Sequence, residues 1–228
     1  WDLKQLALDW NVANILVKDE SYRFGLNAFK VLGGAYALGR YICETTGMDP
    51  DEMEYKGLRS SEVKEKLGDA VFVTATDGNH GRGVAWAARQ FGCRSVVFMP
   101  KGSASMRLEN IQKEGALASI TDFNYDDAVR YAMEYASKKQ GVMIQDTAWE
   151  GYEDIPTWIM QGYTTIAAEI EMQLKQMQRL RPTHVFLQAG VGSYAAAIQG
   201  FLAACFGPDR PITVIVEPNA ADCLYRSI

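Results

Sequence analysis

Short apolar runs rich in β-branched residues alternate along this chain with longer stretches whose apolar positions share one helical face. The first kind fits buried strands, and the second fits helices packed over them. Strands are predicted at 71–74, 95–99, 117–121, 142–145, 184–188 and 212–216. Helices are predicted at about 81–90, 105–113, 125–138, 157–178 and 194–206, and a further apolar helical stretch continues from Lys30. This alternation predicts an α/β fold with mostly parallel strands.

Several element ends carry their own signals. Asp122 or Asn124 can cap the helix that holds Ala128, Val129, Ala132 and Met133, because a short polar side chain accepts from the free N–H groups of a first turn. Pro156 suits a first turn, where its missing N–H costs nothing. Gly92 and Gly141 follow helical runs as C-terminal caps do, and Gly207-Pro208 ends the Ala-rich helix. Residues 45–65 are polar and charged and read as a surface excursion.

The bulk numbers narrow the function classes. The 228 residues suffice for one large domain or two smaller ones, and 48% hydrophobic with 22% charged residues is ordinary for a globular protein. A net charge of −5 gives no electrostatic reason to expect nucleic acid or an anionic membrane as partner. Cys43, Cys93, Cys205 and Cys223 lie far apart, with only His80 and His184 to help, so no metal site is expected. Reduced thiols and the lack of a long apolar run predict a cytoplasmic protein. The chain opens without Met and stops soon after the run 212–216, as a piece of a longer protein would.

Three segments carry chemistry. Phe24-Gly25-Leu26-Asn27-Ala28-Phe29-Lys30 sets a lysine in apolar surroundings, where an amine can attack an aldehyde. Thr76-Asp77-Gly78-Asn79-His80-Gly81 follows one predicted strand, and Gln188-Ala189-Gly190-Val191-Gly192-Ser193 follows another. Both therefore lie at carboxyl ends of strands, where α/β proteins bind ligands. The amides of the glycine-rich loop, with the Ser193 hydroxyl, can take phosphate oxygens. Taken singly, a surface lysine, a structural βα turn and tight helix–sheet packing explain each segment as well. The ordered set points to a pyridoxal phosphate (PLP) site. Nucleotide fingerprints fail, because the third glycine of the dinucleotide motif and the Gly-Lys-Ser/Thr of the Walker loop are missing.

These segments resemble the fold-type II PLP enzymes, the group of threonine deaminase, cysteine synthase and the tryptophan synthase β subunit. With Met99-Pro100-Lys101-Gly102-Ser103-Ala104 and Gln145-Asp146-Thr147-Ala148-Trp149-Glu150-Gly151-Tyr152 they are most similar to its diaminopropionate ammonia-lyase branch, over essentially the whole chain. The resemblance implies two open, mostly parallel twisted sheets flanked by helices. A smaller α/β domain would span 28–153, and 1–27 with 154–228 would form part of a larger PLP-binding domain left incomplete here. It implies α,β-elimination of 2,3-diaminopropionate, D and L, to pyruvate and ammonia by a homodimer. A serine/threonine dehydratase or another β-eliminating or β-replacing relative is the alternative.

The resemblance also assigns roles. Lys30 would bond the cofactor aldehyde, Asn79 would lie by its 3′-oxygen, and Gly190, Val191, Gly192 and Ser193 would hold its phosphate. Thr76, Asp77, Gly78 and His80 would face the substrate carboxylate. Asp77 stands where many relatives have Ser or Thr, which suits a substrate with a second ammonium or a second base. Asp146 would approach the same mouth, to bind that ammonium or to tune Asp77. The residue facing the pyridine nitrogen is expected from beyond Ile228.

Overall fold

In the computed structural model, which describes residues 1–52, 54–178 and 181–227, two parallel sheets form. The elements run α1 (Lys4–Asp9), α2 (Val31–Thr46), α3 (Ser61–Leu67), β1 (Val71–Ala75), α4 (Asn79–Phe91), β2 (Arg94–Met99), α5 (Ser105–Lys113) and β3 (Leu117–Ile120). They continue with α6 (Tyr125–Lys138), β4 (Val142–Met143), α7 (Asp154–Gln176), β5 (His184–Gln188), α8 (Ser193–Phe206), β6 (Ile212–Val216) and α9 (Cys223–Ser227). One sheet has the order β3-β2-β1-β4, and β5 pairs with β6 in the other. Met53 in the polar excursion, Arg179, Leu180 and Ile228 lie outside the described residues. Among the described residues no helix is long and apolar enough to cross a membrane.

The larger sheet is covered on both faces, as its β-branched strands require. Val96 and Phe98 of β2 pack with Val73, Ala75 and the alanines Ala128, Ala132 and Ala136 of α6. Val97 and Met99, one step out of phase, pack with Ala85 of α4 and Ile111 of α5 on the opposite face. The chain builds outward from β1 to β3 and then returns to lay β4 on the other side of β1. A reversal of this kind, here at the carboxyl ends of β1 and β4, is the place where open α/β sheets take ligands.

Four glycines hold α2 between two neighbours. A β-carbon at Gly33 would stand 2.6 Å from Tyr163 Cε1, and one at Gly162 would stand 2.5 Å from the Leu32 carbonyl oxygen. On the other side, a β-carbon at Gly34 would meet the Val84 nitrogen at 3.3 Å, and one at Gly83 would meet Val31 Cα at 2.8 Å. Hydrogen at Gly33, Gly162 and Gly83, and the tight fit at Gly34, let α4 and α7 both close on the first turns of α2.

Some ends differ from the sequence reading. Asn124 caps α6, its Oδ1 accepting from Asp127 N at 2.9 Å, and Pro156 lies in the first turn of α7. Gly92 caps α4 in the left-handed region. Gly141 does not do so for α6, because Gln140 takes the left-handed position with φ 52°. Gly141 instead lies against the sheet, where a β-carbon would come within 3.0 Å of Val73 Cγ2. Strand β4 is also shorter than predicted. Its ladder ends because the Gln145 side chain, not its backbone, accepts from Ala75 N at 3.2 Å, while Gln145 N donates to the Tyr152 hydroxyl at 2.7 Å.

Candidate active site

Lys30 is the residue immediately before the first turn of α2, so the glycine clamp fixes where its side chain begins. Two arginines steady the segment that leads into it. Arg82 of α4 donates through Nη1 to the Leu26 carbonyl at 2.9 Å, and Arg23 donates through Nη1 to Glu169 Oε1 of α7 at 2.8 Å. Lys18 adds a second cation on Glu169, 2.8 Å from Oε2. Phe29 packs against Tyr163 of α7 and against Tyr194 of α8, with ring centroids 5.4 and 4.4 Å apart.

From this platform Lys30 Nζ donates to Asp146 Oδ2 at 2.8 Å. The lysine side chain is 30% exposed, whereas that of Asp146 is 2% exposed. One end of the pair thus opens to solvent and the other is buried just past the end of β4. Burial opposes ionisation of Asp146, yet the positive charge carried between His80 and Lys30, with the hydrogen bond from the lysine, outweighs it and holds the carboxyl below its ordinary value.

A buried web fixes Asp146 from behind. Gln145 accepts from Thr74 Oγ1 at 3.0 Å, donates to the Tyr125 hydroxyl at 3.0 Å and reaches Asp146 Oδ1 at 3.5 Å. The Tyr152 hydroxyl in turn donates to the Met143 carbonyl at 2.9 Å. Burial raises the Tyr125 and Tyr152 phenols well above their usual range, so both stay neutral hydrogen-bonding groups. Sequence reasoning gave no role to Gln145, Tyr125, Tyr152 or Tyr163. The one available signal was a polar pair, Gln145-Asp146, at the end of an apolar strand.

The Thr76–Gly81 stretch turns sharply from β1 into α4. Thr76 Oγ1 accepts from Gly78 N at 2.9 Å and from Gly81 N at 3.2 Å, so a buried hydroxyl, not Asp77 or Asn79, caps the turn. Asn79 and His80 therefore belong to the first turn of α4, not to a loop before it. Asn79 points outward, and among the described residues its side chain makes no hydrogen bond. His80 is buried, with Nε2 2.8 Å from the Ile144 carbonyl and Nδ1 3.8 Å from Asp146 Oδ2. Burial depresses its pKa. Asp77 is separate from this cluster: its side chain is exposed, its carboxylate lies 3.6 Å from Arg107 Nη1, and Arg107 also donates to its carbonyl at 2.9 Å.

The glycine loop joins β5 to α8. Gly192 takes φ 90°, a left-handed value, directly before the first residue of α8, Ser193. Among the described residues, the backbone N–H groups of Gly190, Val191, Gly192 and Ser193 donate to no protein acceptor. A β-carbon at Gly190 would meet nothing within 4 Å. These unpaired donors at the start of a long helix fit a phosphate group, as the helix dipole and the open approach both favour an anion. Tyr194, packed at a tilt against Phe29, links this loop to the lysine. The amine, the outward Asn79 and the donor cradle together fit a phosphorylated aldehyde cofactor.

The profile of the family described as "Pyridoxal-phosphate dependent enzyme" matches residues 1–228. Diaminopropionate ammonia-lyase of Salmonella typhimurium is 53% identical over 226 residues, which cover 99% of this chain and 56% of that protein. The crystal structure of Escherichia coli diaminopropionate ammonia lyase in complex with D-serine matches with a TM-score of 0.93 at 50% identity, over 99% of this chain and 57% of the other. The same enzyme in complex with an aminoacrylate-PLP azomethine reaction intermediate matches with a TM-score of 0.90 at 49% identity, over 99% and 56%. The chain spans about half the length of the curated relatives it matches.

Proposed function

Because the chain belongs to the pyridoxal-phosphate dependent enzyme family, we propose that its protein cleaves 2,3-diaminopropionate to pyruvate and ammonia by α,β-elimination. Water is consumed and both nitrogens leave as ammonia. The observation that carries this reading is the Lys30 amine held 2.8 Å from a buried carboxylate, Asp146, at the reversal of the sheet. The activity named for the 53% identical relative supports the choice of substrate.

In this reading Lys30 bonds the cofactor aldehyde, Asn79 lies beside the ring's 3′-oxygen, and the amides of Gly190 to Ser193 hold the phosphate. Bound there, the cofactor supplies an electron sink for the charge left when the α-proton departs. Lys30 Nζ is the base for one enantiomer, since Asp146 orients the amine. Asp77, exposed and carried on a different segment, serves the other enantiomer as base. The buried Asp146 carboxylate suits the β-ammonium of a diamine. Thr76, Gly78 and His80 shape the turn that faces the substrate carboxylate, Thr76 through its two amide contacts and His80 by bracing against Ile144.

The division into a smaller domain, 28–153, and a larger one to which 1–27 and 154–228 belong is part of the same proposal, supported by the two sheets. So are a cytoplasmic location and a homodimer, the latter to be checked by light scattering on the full-length protein. The deciding experiment is the visible spectrum of full-length, PLP-loaded protein before and after adding diaminopropionate, with pyruvate and ammonia assayed together. A shifted band with both products is expected. Faster ammonia release from serine than from diaminopropionate would favour a dehydratase instead.

A further inference from the structure

We propose that His80 is a positioning residue that stores at Nδ1 the proton Lys30 gives up, so that Asp146 always keeps one cationic partner. The proposal rests on the reading of Lys30 as the amine that bonds the cofactor.

The tautomer follows from the contacts. His80 Nε2 lies 2.8 Å from the Ile144 carbonyl oxygen, which can only accept, so Nε2 carries a hydrogen. A neutral ring then presents a bare lone pair at Nδ1. That atom is buried and, among the described residues, has no hydrogen-bond partner. The neighbouring charge is Asp146 Oδ2 at 3.8 Å, itself a lone-pair donor. A lone pair facing a carboxylate inside the protein is unfavourable, whereas a proton on Nδ1 turns the contact into an ion pair.

The same oxygen, Oδ2, receives Lys30 Nζ at 2.8 Å. Asp146 Oδ2 therefore lies between two nitrogens that can each hold a proton. While Lys30 is an ammonium, burial and the lysine charge both keep the ring neutral. Once Lys30 becomes an amine, that repulsion is gone and the carboxylate draws a proton to Nδ1. In the exchange the lysine N–H bond breaks and an Nδ1–H bond forms. Asp146 stays ionised and the charge of the three groups is zero before and after. Asp77 is the other charge acting on the ring, and it favours protonation too. The Tyr125 and Tyr163 phenols, which feel Asp146, are raised by burial and take no part.

The test is ¹⁵N NMR of ring-labelled histidine in full-length, cofactor-free protein, with the His80 signals assigned by their loss in His80→Gln. Within this chain the other histidine is the exposed His184, which serves as an internal reference. Wild type and Lys30→Arg are expected to show a neutral ring protonated at Nε2 at pH 7. Lys30→Met, or Lys30→Gln should that variant misfold, is expected to raise the His80 midpoint by roughly one to three units. An unchanged titration overturns the proposal. Adding PLP to wild type gives an independent arm. If the visible band forms, the reading of Lys30 as the amine that bonds the cofactor stands. If no band forms, the reading of Lys30 fails, and the lysine variants, which involve no cofactor, still decide the role of His80.

Discussion

Gly83 and Val31 approach so closely that a single methyl group would not fit between them: a β-carbon on Gly83 would lie 2.8 Å from Val31 Cα and 2.9 Å from Val31 N. The atoms in the way are backbone, one residue from Lys30. Gly83→Ala is therefore expected to lower stability by about 1–3 kcal/mol, the usual cost of overfilling a packed interior. It should also weaken cofactor retention, because α2 must shift away from α4. Urea unfolding and PLP titration of the full-length protein measure the two effects. Wild-type values in both would show that the contact relaxes without moving the lysine.

Lys30→Ala removes the amine and one partner of Asp146. The visible absorbance of bound PLP is expected to disappear and turnover with it. A band retained at wild-type intensity would reject Lys30 as the residue that bonds the cofactor.

Asp77 and Asp146 sit in opposite surroundings, one exposed beside Arg107 and one closed in with Lys30 and His80. Asp77→Asn is expected to slow one enantiomer of diaminopropionate by roughly 10²-fold or more, the scale of a lost general base, and the other far less. Asp146→Asn should impair diaminopropionate more than D-serine, which has no β-ammonium. Equal losses across enantiomers in the first case, or across substrates in the second, would reject these roles.

Glu169 gives a pH dependence. Hydrogen bonds from Arg23, helped by Lys18, bring its carboxyl from the usual 4.5 to about 2. A carboxyl depressed in the folded state contributes stability that is fully present above its unfolded value and is lost as pH falls through the folded one. Glu169→Gln is thus expected to unfold at lower urea than wild type at pH 7. The difference should shrink as pH drops from about 4.5 towards about 2. A gap that persists in stronger acid would contradict the assignment.

Much of this was legible in the chain because strands buried on both faces need continuous apolar runs, as in Val71 to Ala75 and Arg94 to Met99. The ends were less so. Strand β4 stops at Met143 because a side-chain amide from Gln145 takes over the ladder, a choice no periodicity records. Gln140 rather than Gly141 turned left-handed, since the glycine was needed against Val73. At the site, residue types singled out Lys30 and the glycine loop, whereas the roles of Asn79 and His80 came from the family resemblance. The Lys30–Asp146 ion pair joins residues 116 positions apart, and the Arg107 contact to Asp77 depends on how α5 packs. Neither leaves a local trace.

The pair Gly33-Gly34 has a mechanical consequence. With one glycine seated against α7 and the next against α4, α2 can neither roll nor slide without colliding on one flank. Whatever travel the Lys30 nitrogen makes between Asp146 and a bound partner must come from rotation about the bonds of its own side chain. The helix behind it works as a fixed mount, and swapping that lysine for a shorter amine would strand the charge out of reach.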